Sequence, residues 1–195
     1  MTWDYILMAT GFTGALTLVF LVRHVCRRLG WMPAIRATFS PKGGCTDAVL
    51  GEVERARRQI LVQAYSFTSE PLAKALVEAK KRGVDVEILL DRSNEVERYS
   101  DLRIFLDNGL HPLIDGHHAI AHNKVMIIDR RTLITGSFNF TNQAEHENAE
   151  NLLVIRGMPE LIHSYCENFA AHKGHCQPAQ VKAPAEGHGA RHKAA

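Results

Sequence analysis

The sequence predicts an α/β domain preceded by an apolar N-terminal helix. Two apolar runs rich in β-branched residues, 60–65 and 84–91, flank a segment in which Leu72, Ala75, Leu76 and Ala79 recur at helical spacing. That is the pattern of a βαβ unit with parallel strands. Residues 125–129 and 132–135 are two further apolar runs joined by a short charged connection, and they read as a β-hairpin. Residues 5–22 carry no charged side chain and are just long enough to cross a bilayer as a helix.

In chain order, Asp4 precedes the apolar stretch, and Arg23, His24, Arg27 and Arg28 follow it. A cleaved signal sequence has the opposite charge order and ends in a small-residue site. An uncleaved transmembrane anchor is therefore expected, with a signal sequence as the alternative and a buried core helix as a third. The Arg-rich flank places residues 31–195 on the cytoplasmic side, or outside if the segment is a signal. Residues 34–40 read as a strand ending at Pro41-Lys42-Gly43-Gly44. Thr46 or Asp47 caps a helix to about Arg58, with Val49, Leu50, Val53 and Ala56 on its apolar face. The next helix opens at Ser69-Glu70-Pro71, where proline's missing N–H costs nothing, and closes at Lys80-Lys81-Arg82 and Gly83. Residues 92–98 read as a polar loop, 101–108 as a short helix stopped by Gly109, and 111–114 as an edge strand. A loop at 115–118 feeds the hairpin. Residues 141–149 are polar and read as a helical turn or loop, 151–156 as a last strand, and 159–172 as a last amphipathic helix. From residue 173 large apolar side chains almost vanish, so disorder is expected. The divisions are 1–30, 31–172 and 173–195.

The length of 195 residues suits one globular domain with extensions. The formal charge of +2 is unevenly spread, with +2 on residues 1–30, +3 on 173–195 and hence −3 on 31–172. Bulk charge excludes a basic nucleic-acid-binding domain, so any positive groove must be local. Cys26, Cys45, Cys166 and Cys176 form no C-x-x-C pair, and neither a zinc site nor a disulfide framework is expected. His117 and His118 read as exposed loop residues, and His172, His175, His188 and His192 as tail residues able to bind metal only adventitiously.

The chemistry concentrates in HNKVMIIDRRTLITGSFN, residues 122–139. His122 and Lys124 are two apart on a strand, so their side chains leave one face. Ser137 and Asn139 repeat that spacing just past the second strand. The hairpin thus gathers an imidazole, an ammonium, a hydroxyl and an amide. That set suits a phosphodiester: Lys124 supplies charge, Ser137 and Asn139 supply hydrogen bonds, and His122 can attack or transfer a proton.

The H-x-K-x4-D pattern of His122, Lys124 and Asp129, followed by Gly136-Ser137-x-Asn139, resembles the signature of the phospholipase D superfamily. AYSFTS at 64–69, AKKRGVDVEILLD at 79–91, GSFNFTNQAE at 136–145 and N-x-E-N at 148–151 extend the resemblance over residues 34–172. They look like the short, single-motif branch, which includes bacterial Nuc-type endonucleases and mitochondrial cardiolipin hydrolase/Zucchini proteins. The resemblance implies a mixed β-sheet flanked by helices on both faces, and phosphodiester cleavage through a phosphohistidine without metal or cofactor. It implies His122 as nucleophile, Lys124, Ser137 and Asn139 as phosphate ligands, and Asp129 as a supporting residue. It also implies that Glu150 orients the imidazole, with Glu147 as the rival. One motif supplies one histidine, and in-line displacement needs a second, so a homodimer sharing one active site is expected. An endonuclease acting on DNA or RNA is the first expectation, a phospholipase D acting on phosphatidylcholine or cardiolipin the alternative, and a non-catalytic membrane scaffold the third. Two features depart from the relatives. Nuc-type enzymes are usually exported with a cleaved signal, and Zucchini-like proteins carry a Cys/His zinc insertion near their start, which Cys45 alone cannot make.

Overall fold

The computed structural model describes residues 2–28, 32–95 and 101–180, and side chains of 2–12 and 27–28 fall outside that description. The elements are α1 (Thr2–Arg28), β1 (Ala34–Phe39), α2 (Cys45–Arg55), β2 (Gln59–Ala64), β3 (Phe67–Thr68), α3 (Glu70–Lys81), β4 (Asp85–Asp91), α4 (Leu102–Asp107), β5 (Leu113–Asp115), β6 (Lys124–Ile128), β7 (Thr132–Gly136), β8 (Phe140–Thr141), α5 (Asn142–His146), β9 (Asn151–Arg156), α6 (Pro159–Lys173) and β10 (Gln177–Pro178). Among the described residues no helix is long and apolar enough to cross a membrane. Within the apolar stretch expected to do so, at 5–22, the side chains of 5–12 lie outside the described set.

Eight strands form one mixed sheet in the order β1-β9-β7-β6-β2-β4-β5-β10, and β3 and β8 make a separate two-stranded pair. The expected βαβ unit is β2-α3-β4, with β2 and β4 parallel. The expected hairpin is β6-β7, antiparallel, with Val125 opposite Thr135 and Ile128 opposite Thr132. Alternation along the strands divides the core between two faces. Ile60, Val62, Met126 and Ile134 meet Val49 and Val53 of α2, Leu72 and Leu76 of α3 and Phe105 of α4. Leu61, Leu89, Ile127 and Leu133 meet Ile162 and Phe169 of α6 on the other face. Burial of the central strands on both faces explains why they read as continuous apolar runs.

Asp129 turns the hairpin. It and Arg130 adopt left-handed backbone, with φ of 53° and 54°, a conformation Asp tolerates better than most residues. Its carboxylate accepts the backbone N–H groups of Arg57 at 2.9 Å, Arg58 at 2.7 Å and Gln59 at 3.0 Å. These bonds also explain why α2 stops at Arg55, short of the expected end near Arg58. Ala56 is already extended, with φ −57° and ψ 136°, and the following N–H groups turn toward Asp129 instead of their own helix.

The C-terminal segment departs from expectation. Residues 173–180 are ordered: α6 runs through Lys173, and β10 pairs antiparallel with β5, Gln177 opposite Ile114. The Ala179 N–H donates to the Pro112 carbonyl at 3.0 Å. β5 is therefore interior, and the edges of the sheet are β1 and β10. Backbone pairing needs no apolar side chains, so a polar stretch can close the row of donors and acceptors β5 would otherwise leave open. Residues 181–195 of the expected disordered tail lie outside the described residues.

Asp129→Ala removes three charge-assisted bonds at a partly exposed turn. It is expected to cost about 1–2 kcal/mol by urea denaturation, with turnover per folded chain unchanged. A large loss of turnover in the folded variant would contradict this structural role.

Candidate active site

The site lies where β2 and β4 end and β6 begins. There β2 is flanked by parallel β4 on one side and antiparallel β6 on the other. Such a reversal at the carboxyl ends of parallel strands opens a crevice for ligands.

Several bonds fix the approach to β6. Asp91, at the end of β4, accepts the Ala121 N–H at 2.8 Å. Arg92 donates to the Ala119 carbonyl at 3.1 Å, and the Tyr65 N–H donates to the Asn123 carbonyl at 2.9 Å. His122 is then exposed, with its ring centroid 4.5 Å from that of Tyr65. Lys124, the first residue of β6, is only 7% exposed. Its Nζ donates to the His122 carbonyl at 2.8 Å and lies 4.9 Å from the centre of the Tyr65 ring. Burial pushes its ammonium down to about 8, and the charge of Glu150 acts in the opposite direction.

The second half of the site is built past β7. Ser137 Oγ donates to Glu150 Oε2 at 2.6 Å and accepts from the Asn151 N–H at 3.1 Å and Nδ2 at 3.2 Å. Asn148 Nδ2 donates to the other Glu150 oxygen at 3.1 Å. Ser40 Oγ accepts from the Glu150 N–H at 3.2 Å and donates to the Asn148 carbonyl at 2.9 Å. Asn139 Oδ1 is buried and has no hydrogen-bond partner.

His122 and Lys124 thus share a backbone contact, Ser137 and Glu150 are bonded, and Glu150 links the halves through its field at Lys124. Asp129 is not part of this group. It sits at the far end of β6, about 17 Å away at about 3.3 Å per residue. Glu150 differs from expectation. Its oxygens hold Ser137 and Asn148, and the described contacts include no bond to His122. Glu147 is exposed and its side chain joins neither half. Two contributors lie outside the H-x-K-x4-D and G-S-x-N pattern: Tyr65, within AYSFTS, which walls His122 and Lys124, and Ser40, which holds Glu150 from 110 residues away.

A second group was missed entirely. Asp115, His118, His172 and His175 bring one ligand-capable atom each to within 4.8 Å of one another. The spacings D-x-x-H and H-x-x-H were visible. Sequence alone places His118 in an exposed loop and His175 in a tail, and only the fold brings the two together.

Residues 49–173 match the family described as cardiolipin synthase, PLD-like domain. The chain belongs to the phospholipase D superfamily. A protein named phospholipase D from Rickettsia felis is 42% identical over 139 residues, covering 71% of this chain and 69% of that protein. Mitochondrial cardiolipin hydrolase from Chlamydomonas reinhardtii is 33% identical over 114 residues, covering 58% of this chain and 51% of that protein. Among solved structures, the phospholipase D family member Nuc from Salmonella typhimurium aligns with a TM-score of 0.72 at 38% identity, covering 75% of this chain and 98% of that one. As a phospholipase D superfamily member, the chain is a phosphodiester hydrolase.

Lys124 carries its positive charge only below about pH 8. With Lys124 as the phosphate ligand the sequence pattern implies, kcat/KM is expected to fall above about pH 8, approaching about tenfold per pH unit. In Lys124→Arg, whose guanidinium stays charged, that limb should disappear even where the rate is lower. A wild-type profile flat to pH 10 would remove Lys124 from the role.

Proposed function

We propose that the chain cleaves phosphodiesters through a phosphohistidine on His122, as a homodimer, and that nucleic acid is its substrate. The observation that carries the chemistry is Lys124. It is a buried cation bonded to a neutral carbonyl, with no carboxylate in ion-pair range among the described residues. An incoming phosphate supplies the missing countercharge. Asn139 and Ser137 add hydrogen bonds to the phosphate, and Glu150 holds Ser137 in place and favours the protonated form of Lys124.

In the first step an imidazole nitrogen of His122 attacks phosphorus, forming the N–P bond as the ester P–O bond breaks. The leaving alkoxide takes a proton from His122 of the partner subunit. That imidazole, now neutral, removes a proton from water. The water oxygen attacks phosphorus, the N–P bond breaks, and a phosphomonoester leaves. One imidazole cannot stand on both sides of phosphorus, which is the reason for two chains. No metal or cofactor takes part in these steps.

Beside His122, Tyr65 and Arg92 line a groove whose wall also includes the carboxylates of Asp91 and Glu95. It offers an aromatic face and a guanidinium next to the phosphate position, the combination that holds single-stranded nucleic acid. The likeness to the Nuc structure supports the same reading. Phospholipid is the second reading. The relatives named phospholipase D and cardiolipin hydrolase favour it, and so does α1, where Leu18, Phe20 and Leu21 are exposed. We place a membrane anchor at residues 5–22 and the hydrolase on the cytoplasmic side.

The full-length protein should be assayed side by side on single-stranded nucleic acid and on vesicles of phosphatidylcholine and cardiolipin. Brief EDTA treatment and His122→Ala serve as controls. Nicking that survives EDTA and is lost in His122→Ala is expected. Phosphatidic acid release without nicking would transfer the proposal to lipid. The shared site has its own measurement. When wild-type and His122→Ala chains are unfolded together and reassembled, activity should follow the square of the wild-type fraction. A linear dependence would mean that each chain works alone.

A further inference from the structure

We infer that Asp115, His118, His172 and His175 form a zinc site that staples the end of α6 to the loop leading to His122. The ligands come as two pairs, Asp115-x-x-His118 from the end of β5 into the loop after it, and His172-x-x-His175 across the end of α6. Paired ligands from two distant segments are the usual way a small structural metal site joins them.

The geometry is close to what zinc needs. Donors bound at about 2.0–2.1 Å in a tetrahedron lie about 3.4 Å apart. Here Asp115 Oδ1 and His118 Nδ1 are 3.1 Å apart, and Asp115 Oδ2 and His175 Nε2 are 3.3 Å apart. Asp115 Oδ2 and His172 Nδ1 are closer, at 2.6 Å, a hydrogen bond that metal would replace by opening the pair. All four donor atoms fit within 4.8 Å.

The protein contacts alone leave this group incompletely satisfied. Asp115 is 2% exposed and is the one carboxylate shared by three imidazoles. His175 Nε2 is buried and, despite its proximity to Asp115, forms no hydrogen bond. The rings crowd each other, with centroids 4.8 Å apart for His118 and His172, 5.1 Å for His118 and His175, and 5.3 Å for His172 and His175. A metal ion would give every one of these nitrogens a partner. Three imidazoles and one carboxylate suit zinc better than calcium or magnesium, which prefer all-oxygen sites. Four protein ligands complete a tetrahedron, so the site is structural and takes no part in the cleavage steps.

Its position gives it a purpose. Lys173 forms an ion pair with Glu87 of β4, so the end of α6 already rests on the sheet. A cavity of about 10 Å³, lined by Asp115, His172, Asp91, Ala121 and Asn123, lies between the cluster and the segment that carries His122. Fixing His172 and His175 to the 115–118 loop therefore restrains that segment from behind.

The test uses full-length protein stripped by prolonged chelation and dialysis. Zinc is added back in competition with a chromophoric chelator, and bound metal is counted by elemental analysis. One zinc per chain is expected, with a Tm that rises with zinc concentration. Asp115→Asn and the double variant His172→Asn/His175→Asn should each weaken binding by more than about 100-fold. His122→Ala and His188→Ala/His192→Ala should retain it. In case the cluster variants fail to fold, wild-type protein loaded with cobalt(II) gives an independent readout. Tetrahedral visible bands without a thiolate charge-transfer band are expected. Absence of stoichiometric zinc in the wild type, retention of binding in folded cluster variants, or a thiolate band would each overturn the site.

Discussion

Assembly of the candidate active site depends on how closely the chain leaving β7 passes over β9, and Gly136 makes that passage possible. Its φ is 153°, and a Cβ there would stand 2.2 Å from the Asn151 carbonyl oxygen. That oxygen instead accepts the N–H groups of Ser137 at 3.1 Å and Phe138 at 3.2 Å. The strand therefore ends with two donors on one acceptor. Ser137 is brought onto Asn151 and Glu150, while Phe138 and Phe140 anchor the segment in the core. Any side chain at 136 would push this segment off β9 and separate Ser137 from Glu150.

The same sheet places Lys124 where its charge is poorly solvated. It shares strand parity with Met126 and Ile128, which face the larger core. At that position an ammonium loses water and gains only a carbonyl, the face of Tyr65 and the field of Glu150. These do not fully compensate, and its pKa near 8 reflects the deficit. A fully ion-paired lysine would stabilise the fold more but would have to break its pair to bind phosphate. Leaving Glu150 bonded to Ser137 and Asn148 keeps Lys124 charged at neutral pH without neutralising it.

The parts legible in sequence were those fixed by local spacing. The βαβ unit, the hairpin and the polar side chains at 122, 124, 137 and 139 follow from strand and helix periods. What sequence left open was direction and distant partnership. The H-x-K-x4-D spacing includes Asp129 but does not reveal that its carboxylate reaches residues 57–59. N-x-E-N marks Glu150 but not the choice between His122 and Ser137. The composition after residue 173 lacks core-forming side chains, so it gave no warning of β10, which is held by backbone pairing with β5. Once β10 is in place, His175 lies against the 115–118 loop, and the histidines that looked scattered become a cluster.

Asp91 and Asp115 connect these two levels. They end neighbouring parallel strands and stand directly opposite in register, 3% and 2% exposed. Two buried carboxylates side by side repel each other unless each is separately satisfied. Asp91 takes the N–H groups of Ser93 and Ala121. Asp115 takes the N–H of His117 and the imidazoles. Burial alone would raise the Asp115 carboxyl, but the bonds from His172, His118 and the His117 backbone, with His175 close by, outweigh it and hold it well below the usual carboxylate range. Both aspartates grip opposite ends of one short segment, 117–121, which delivers His122. The position of the exposed imidazole is set by charges the sheet could not otherwise tolerate, and cations or a metal ion recruited to them tighten the same segment.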